Sequence, residues 1–311
     1  MKYYGALEAG GTKMVLSIMD ETGNVEQQTR MPTKTPAETM PGMLAFFSEH
    51  SICALGIGGF GPLNLDRRSP QYGSIMETPK LAWRNYPLMQ AFRDELHVPV
   101  GLDTDVNAAA LAEVRLGAAK GKESCLYITV GTGIGGGVII HGKPVHGLMH
   151  PEIGHTAIVP EPNDPMPRGI CPYHSCCPEG MASGPAMERR WGKPAAELPP
   201  DHPGWELESA YLAQLCSNAI LSFSPEKIIL GGGVMQQKFL LPMIRNKVLK
   251  LLNGYIAHPV ILSNIDEYIV EPGLGTRSGI MGAFLLALEA EKEGWNEGRP
   301  SVPPIDFIGE K

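Results

Sequence analysis

The chain of 311 residues has no excess of positive charge and no long apolar run. Its 26 lysines and arginines are outnumbered by 33 aspartates and glutamates, which gives a net charge of −7. A general nucleic-acid binder needs a basic surface to displace counterions, so we expect no nucleic-acid partner. No stretch approaches the roughly 18 apolar residues of a membrane helix, and the amino terminus lacks the pattern of a secretory signal. We therefore expect a cytoplasmic protein with no membrane partner.

Cysteine is also scarce, since six cysteines are too few for a disulfide scaffold in a chain of this length. Three of them lie within Cys171–Cys177, where Cys171, His174 and Cys177 follow C-x-x-H-x-x-C spacing and His155 lies upstream. Thiolates and imidazoles are ligands of structural zinc, and four of them complete a tetrahedron. The cluster predicts a zinc site, with free thiols or a disulfide as the alternative. Spacing alone leaves open whether Cys176 or Cys177 binds the ion.

What the chain does have is an ordinary globular composition, 43% hydrophobic and 19% charged, with glycines that follow apolar runs. Predicted strands at Tyr3–Leu7 and Met14–Met19 flank one glycine turn, and Cys125–Val130 and Gly137–Ile140 flank another. The second pattern repeats the first roughly 120 residues later, which suggests a duplicated architecture. Strands alternate with predicted helices, so we expect an α/β fold. We place its two domains at 1–117 and 118–311, with the last helix packing back on the first domain.

The first glycine turn consists of Gly10, Gly11, Thr12 and Lys13. Bare glycine backbone allows a polyphosphate to approach closely, and the Thr12 hydroxyl and Lys13 ammonium would add contacts. A plain β-hairpin turn is the alternative.

The second glycine turn begins the run Gly131-Thr132-Gly133-Ile134-Gly135-Gly136, a literal G-x-G-x-x-G. A dinucleotide fingerprint must open a helix, whereas a strand is predicted here. No G-x-x-x-x-G-K-[ST] occurs in the chain, which excludes a P-loop. Two such turns, one from each half, would hold a triphosphate between domains. A third cluster, Gly231, Gly232 and Gly233, ends the predicted strand Lys227–Leu230 and is a candidate seat for the rest of the nucleotide.

Three carboxylates and a histidine are further candidates. Asp105 lies where a buried strand meets a helix, so it is either a helix cap or a base that accepts a proton from a sugar hydroxyl. Capping would make it a weaker base. Glu152, His155 and Glu179 flank the cysteines, and carboxylates hold pairs of sugar hydroxyls by charge-assisted hydrogen bonds. Ordinary surface residues are the alternative for these three.

Taken together, the segments resemble the ROK family of sugar kinases and sugar-sensing repressors, and within it bacterial fructokinases. The segments that carry the resemblance span almost the whole chain: Glu8–Lys13, Gly58–Asn64, Asp103–Asn107, Gly131–Gly137, His146–His155, Cys171–Glu179, Ser183-Gly184-Pro185 and Ile229–Val234. The stretches Gln71–Lys80 and His146–Glu152 look like the fructokinase members rather than the glucokinases.

The resemblance implies a two-domain actin-like ATPase fold, related to ribonuclease H, with a cleft between the domains. It implies transfer of the γ-phosphoryl group from ATP, with Mg²⁺, to a hexose, D-fructose above others, and a homodimer. The implied roles are these: Asp105 as catalytic base; the two turns, Gly184, Pro185 and Gly231–Gly233 on the nucleotide; Gly59, Asp105, Glu152, His155 and Glu179 at the sugar; and His155, Cys171, His174 and Cys177 on zinc. Glu8 stands where the family usually has aspartate.

Two rivals come from other functional classes. A sugar-responsive repressor of this family carries a helix-turn-helix ahead of the sugar domain, and the first predicted strand here begins at Tyr3. A sugar-binding module without catalysis is the second rival. A kinase for glucose, mannose or an N-acetyl amino sugar is the alternative within the predicted class.

Overall fold

The computed structural model describes residues 1–294, which form two five-stranded sheets with helices between and around them. The strands are β1 Tyr3–Ala9, β2 Lys13–Asp20, β3 Val25–Pro32, β4 Ile52–Gly59, β5 Val100–Thr104, β6 Cys125–Val130, β7 Ile134–Ile140, β8 Lys143–Pro144, β9 Ile228–Gly231 and β10 Ile269–Val270. The α-helices are α1 Pro36–Ser48, α2 Leu88–Leu96, α3 Asp105–Arg115, α4 Pro178–Ala182, α5 Gly184–Trp191, α6 Gly204–Phe223, α7 Leu240–Leu252, α8 Pro259–Leu262, α9 Ile265–Tyr268 and α10 Ser278–Glu293.

The two sheets share one topology. The first has the order β3-β2-β1-β4-β5, and the second, written from its other edge, has the order β8-β7-β6-β9-β10. In each sheet the central strand pairs antiparallel with the strand that follows its glycine turn and parallel with the strand on its other side. The predicted α/β class is confirmed, and the recurrence in the sequence corresponds to a repeated sheet.

Helices α3 and α10 pack against each other between the sheets, and strand glycines allow these helices to lie close to the sheets. A Cβ at Gly56 of β4 would lie 1.8 Å from the carbonyl oxygen of Ala283, and one at Gly137 of β7 would lie 2.1 Å from that of Val106. Both distances are well inside van der Waals contact, so only glycine fits. The last helix of the described chain therefore lies on the first sheet, and α3 contacts both sheets.

A buried carboxylate, Glu113 of α3, ties this central layer together. It accepts hydrogen bonds from the backbone N–H groups of Ala118, Gly273 and Leu274 at 2.7, 2.9 and 3.0 Å. The hydroxyl of Ser278, the first residue of α10, donates to it at 2.7 Å. With four donors the buried charge is well compensated, and it fixes the start of α10 relative to α3.

Some elements differ from the sequence-based predictions. The sequence pattern after Asp105 predicts a helix that continues to Ala119, whereas α3 ends at Arg115. Strand β7 begins at Ile134 rather than at the predicted Gly137. Helices α4 and α5 were not predicted, because they are short and lie in the proline-rich segment 160–204. The part of the predicted second domain from 295 to 311 lies outside the described residues. Within residues 1–294 no helix combines the length and apolar character needed to cross a bilayer.

Candidate active site

The candidate site lies at the carboxyl ends of parallel strands, where α/β sheets usually bind ligands. In the first sheet β1, β4 and β5 are parallel neighbours, so Gly10, Gly59 and Asp105 come to one edge. In the second sheet β6 and β9 are parallel neighbours, so Gly131 and Gly232 come to one edge as well. Residues far apart in sequence are thus brought together by strand order alone.

The two glycine turns meet directly. The hydroxyl oxygens of Thr12 and Thr132, one from each turn, lie 3.3 Å apart. The first turn is closed by a hydrogen bond from the Gly10 N–H to the Lys13 carbonyl at 3.0 Å. The second is closed by a bond from the Gly131 N–H to the Gly133 carbonyl at 2.9 Å. The predicted pairing of a turn from each half is therefore the geometry that the structure has.

Asp105 is the first residue of α3, but it is not the helix cap. The cap is Thr104, whose side-chain oxygen accepts the Asn107 N–H at 3.1 Å. The Asp105 carboxylate accepts only the Val106 N–H, at 2.9 Å, among the described groups. The competition between capping and catalysis that the sequence suggested is thus largely avoided, because the neighbouring threonine takes the capping role.

Removal from water raises the pKa of Asp105 to about 7, and the negative charge of nearby Glu8 adds to the effect. Burial also raises the pKa of Glu8, against the attraction of Lys13 and Arg30. A carboxyl with a pKa near neutrality is a better proton acceptor than an ordinary aspartate. The site therefore holds a half-buried carboxyl suited to general-base chemistry.

Two further segments predicted to bind the nucleotide, Gly184-Pro185 and Gly231–Gly233, lie beside the second turn. The Gly184 N–H, at the start of α5, donates to the Gly131 carbonyl at 2.8 Å, and Pro185 follows it in the same helix turn. Gly232 has a φ of +97°, and a Cβ there would lie 2.3 Å from the Val130 carbonyl oxygen. Gly233 beside it is exposed, and a Cβ built there would have no neighbour within 4 Å.

Two glycines of these clusters have packing roles. Gly135 lies inside β7, beyond the turn, and a Cβ there would lie 3.1 Å from Val106 Cγ1. Gly231 is buried at the end of β9, where a Cβ would lie 2.5 Å from the Tyr127 hydroxyl. At Gly231 a Cβ would require the Tyr127 hydroxyl to move, and at Gly135 it would make a tight contact with Val106. A count of glycines in the sequence does not reveal these contacts.

Glu152, His155 and Glu179 belong to the second half of the chain, and Glu179 lies beside the second glycine turn. Glu179 accepts the Ile134 N–H at 3.1 Å with one carboxylate oxygen, and its other oxygen lies 3.7 Å from His155 Nε2. Burial raises the pKa of Glu152 to about 7, and the charge of Glu179 adds to this. A Cβ at Gly61, just after β4, would lie 3.7 Å from Glu152 Oε1, so these carboxylates are near the first half too.

The four predicted metal ligands form one cluster. The ligand atoms of His155, Cys171, His174 and Cys177 all lie within 4.8 Å of one another. His155 Nδ1 is 3.8 Å from the sulfur of Cys171 and 3.7 Å from that of Cys177, while His174 Nδ1 is 3.5 Å from Cys171. Ligands of tetrahedral zinc, bound at about 2.0–2.3 Å, are about 3.5 Å apart, so the donor set fits this ion.

His155 can serve the metal and the sugar side at once. Its Nδ1 faces the cysteines, whereas its Nε2 faces Glu179. A metal-bound histidine commonly donates its other N–H to a carboxylate. Cys177, rather than Cys176, is the member of the adjacent pair that enters the cluster.

Lys80 is a residue of this site to which the sequence assigned no role. A Cβ at Gly11 would lie 3.2 Å from Lys80 Cε, and the Lys80 ammonium lies 5.9 Å from the centre of the Phe60 ring. The segment 61–86 is rich in proline and glycine and has little periodicity, so its sequence does not show that it returns to the first glycine turn. The indication in the sequence was that the Thr78-Pro79-Lys80 stretch belongs to the part of the chain that resembles fructokinases.

Comparisons with known proteins agree with this geometry. The model of the family described as "ROK family" matches residues 4–290. A fructokinase from Zymomonas mobilis is 43% identical over 300 residues, covering 94% of this chain and 98% of that protein. A fructokinase from Pediococcus pentosaceus is 43% identical over 288 residues, covering 93% and 98% of the two chains.

A solved structure extends the likeness to the fold. The crystal structure of a ROK family glucokinase from Streptomyces griseus, in complex with glucose and AMPPNP, has a TM-score of 0.74 and 26% sequence identity. The match covers 92% of this chain and 99% of that one. The repeated sheets, the facing glycine turns and the extent of these matches place this chain in the ROK family, with the actin-like ATPase fold of its sugar kinases.

Proposed function

We propose that this protein is a sugar kinase that transfers the γ-phosphoryl group of MgATP to a hexose, with D-fructose giving fructose 6-phosphate as the preferred reaction. The observation that carries the proposal is the meeting of the two glycine turns, with Thr12 and Thr132 at 3.3 Å, in the cleft that holds the high-pKa carboxyl of Asp105. The fructokinase names of relatives 43% identical over nearly the whole chain support fructose as the sugar.

Asp105 is the proposed base. Phosphoryl transfer requires alignment, charge stabilisation and a proton acceptor, and little covalent chemistry from the protein. The sugar hydroxyl oxygen bonds to the γ-phosphorus while its proton passes to Asp105, and the bond from the γ-phosphorus to the bridging oxygen breaks with its electrons on ADP. The N–H groups of Gly10 and Gly131 close the turns, so the other backbone N–H groups of the turns, together with Thr12 and Lys13, bind phosphate oxygens. The Gly184-Pro185 and Gly231–Gly233 segments border the remainder of the nucleotide.

The sugar is proposed to lie between Gly59 at the end of β4 and the pair Glu152 and Glu179. These carboxylates accept hydrogen bonds from neighbouring hydroxyls, and His155 Nε2 lies beside them. The halves 1–117 and 118–294 close over both substrates, which excludes water that would otherwise hydrolyse ATP.

Zinc is proposed as a structural ion on His155, Cys171, His174 and Cys177. Four protein ligands leave no open position, so the ion would hold the loop shape and take no part in the transfer. Its effect on catalysis would be indirect, through the position of His155 and hence of Glu179.

A panel of hexoses and amino sugars with ATP, ranked by kcat/KM, tests the function. We expect D-fructose to rank first and ADP to form in equal amount to sugar phosphate. A higher kcat/KM for glucose, mannose or an N-acetyl amino sugar would replace the substrate but keep the kinase. Absence of sugar-dependent ADP formation would favour a sugar-binding regulator instead. The homodimer also stays a prediction, which light scattering in solution tests.

A further inference from the structure

The segment between β4 and α2 contains a cation that the proposed chemistry has not yet used. Lys80 is half-buried, and none of the ion pairs in residues 1–294 includes it. An ammonium without a carboxylate partner is available to form charge-assisted hydrogen bonds with an anionic ligand. The surroundings of Lys80 therefore indicate where such a partner would bind.

The backbone at Lys80 is held by neighbouring anchors. The Trp83 N–H donates to the Lys80 carbonyl at 2.8 Å, and Trp83 is fully buried, with its indole N–H bonded to the Lys34 carbonyl at 2.6 Å. Trp83 also packs edge-to-face on Phe60, with ring centroids 5.8 Å apart. The ammonium thus extends from an anchored turn rather than from a loose loop.

The side chain lies between the proposed nucleotide and sugar positions. On one side is Gly11 of the first turn. A Cβ built on this glycine would lie 3.2 Å from Lys80 Cε. On the other is Phe60, which directly follows Gly59 and precedes Gly61, the neighbour of Glu152. The group that passes between the nucleotide and the sugar is the γ-phosphoryl group, and its charge is spread over three oxygens during transfer.

We propose that the Lys80 ammonium binds the γ-phosphoryl oxygens and stabilises their charge during transfer to the sugar; this rests on the proposed kinase function. The sugar oxygen donates an electron pair to the γ-phosphorus, and the bond from phosphorus to the bridging oxygen breaks with its electrons on ADP. The sugar proton goes to Asp105, whereas Lys80 keeps its proton throughout. Glycine at position 11 leaves room for the lysine chain to pass.

The Lys80→Met variant removes the charge and keeps most of the apolar stem. We expect kcat/KM for fructose to fall about 100-fold, the usual effect of losing one donor to developing charge. Lys80→Arg should recover most of that loss, because it restores the cation. Lys34→Met is the matched control: Lys34 is exposed and paired with Glu38 on the same domain, and its loss should leave kcat/KM unchanged.

Nucleotide affinity separates this role from a purely structural one. The Lys80→Met variant should bind MgAMPPNP about tenfold more weakly than the wild type, bind MgADP equally well, and melt at the same temperature. Wild-type kcat/KM in Lys80→Met, or an equal loss of affinity for both nucleotides, would overturn the proposal. If the wild type phosphorylates no sugar, the kinase function fails, but the comparison of MgAMPPNP with MgADP still decides whether Lys80 contacts the γ-phosphate.

Discussion

The two glycine turns have the same backbone setting but different side-chain surroundings. The first lies between β1 and β2 and has charged neighbours on both sides, Glu8 and Lys13, with Lys80 beside it. The second lies between β6 and β7 and has no charged residue from 131 to 135, and it is instead held by Glu179 and Gly184.

This difference suggests how the duplicated architecture divides its work. The first half contributes the proposed base and the cations, whereas the second contributes the carboxylates for the sugar and the metal cluster. The two sheets share one strand order. Their chemistry differs because a few different side chains at the strand ends are enough to give each half its own function. Five predictions test this division and the pKa values that accompany it.

The largest effect is expected from the first half, in the Asp105→Asn variant. Loss of the base should lower kcat by about 10²- to 10⁴-fold, the usual range for general-base catalysis. Steady-state kinetics with fructose and ATP measures it. Asp94→Asn on the surface of α2 is the control, since within residues 1–294 the Asp94 carboxylate accepts a hydrogen bond only from Gln90. Retained turnover in Asp105→Asn would contradict the assignment of Asp105 as the catalytic base.

Cys177→Ser is expected to give the next largest effect, confined to the second half. Loss of one thiolate should weaken zinc binding by at least about 100-fold, since even residues that only orient the ligands change metal affinity 10- to 100-fold. The KM for fructose should rise through His155 and Glu179, while the affinity for MgADP stays constant. Metal analysis of the purified variant and its kinetics measure both.

Cys176→Ser is the matched control for that variant, because Cys176 is adjacent but lies outside the four-residue cluster. It should keep zinc in near-stoichiometric amount. A purified wild type without zinc, or full zinc content in Cys177→Ser, would contradict the metal assignment.

Gly133→Ala should give a smaller effect on the second turn. A Cβ there would lie 2.6 Å from Glu179 Oε2, so the carboxylate must move away from the Ile134 N–H. Because that movement disturbs both the turn and the sugar side, we expect kcat/KM to fall about tenfold, or roughly 1.4 kcal/mol. Gly42→Ala in α1 is the control, since its nearest neighbour is Met31 at 3.4 Å. Kinetics of Gly133→Ala equal to those of the control would show that Glu179 is not positioned by this turn.

Another prediction concerns pH and compares one carboxyl from each half. The pKa values of Asp105 and Glu152 are both raised to about 7, chiefly by burial. The base acts when deprotonated, so kcat/KM should fall as pH decreases below about 7, by about tenfold per unit for Asp105 alone. If Asp105 and Glu152 must both be deprotonated, a plot of log(kcat/KM) against pH has a limiting slope of two at low pH. The Glu152→Gln variant should lower that slope to one. A pH-independent kcat/KM between pH 5 and 8 would contradict the raised pKa values.

The same pKa values predict how stability depends on pH. A carboxyl whose folded pKa lies above its unfolded value binds its proton more tightly in the folded state. Its stabilising contribution is therefore complete below the unfolded pKa, near 4, and is lost as pH rises through about 7. Asp105→Asn should raise the melting temperature relative to the wild type at pH 8, and should do so much less at pH 4.

Local patterns in the chain identified many of the elements and most of the candidate site. Alternating apolar runs and glycine turns located β1, β2 and β6, and the repeat pointed to two similar sheets. The C-x-x-H-x-x-C spacing, with His155 upstream, pointed to the cluster that the structure brings together, although spacing alone left the choice between Cys176 and Cys177 open. These features are recognisable because each depends on residues close together along the chain.

Other features escaped because they depend on contacts between distant segments. Thr104, not Asp105, caps α3, and choosing between adjacent capping residues requires the actual backbone. Gly135 follows the phosphate-type pattern but packs on Val106, and the sequence does not show which glycine faces a neighbouring helix. Lys80 reaches the first turn only because buried Trp83 anchors its loop.

The sequence by itself determined the α/β class and the duplication, and it supplied candidates for the metal ligands and for the base. The tertiary structure alone decided that the turns meet at Thr12 and Thr132, that Asp105 has a pKa near 7, and that Lys80 lies beside Gly11. The physical reason is that periodicity and capping act over a few residues. Burial, charge proximity and close approach are set by strand order and helix packing across the whole chain.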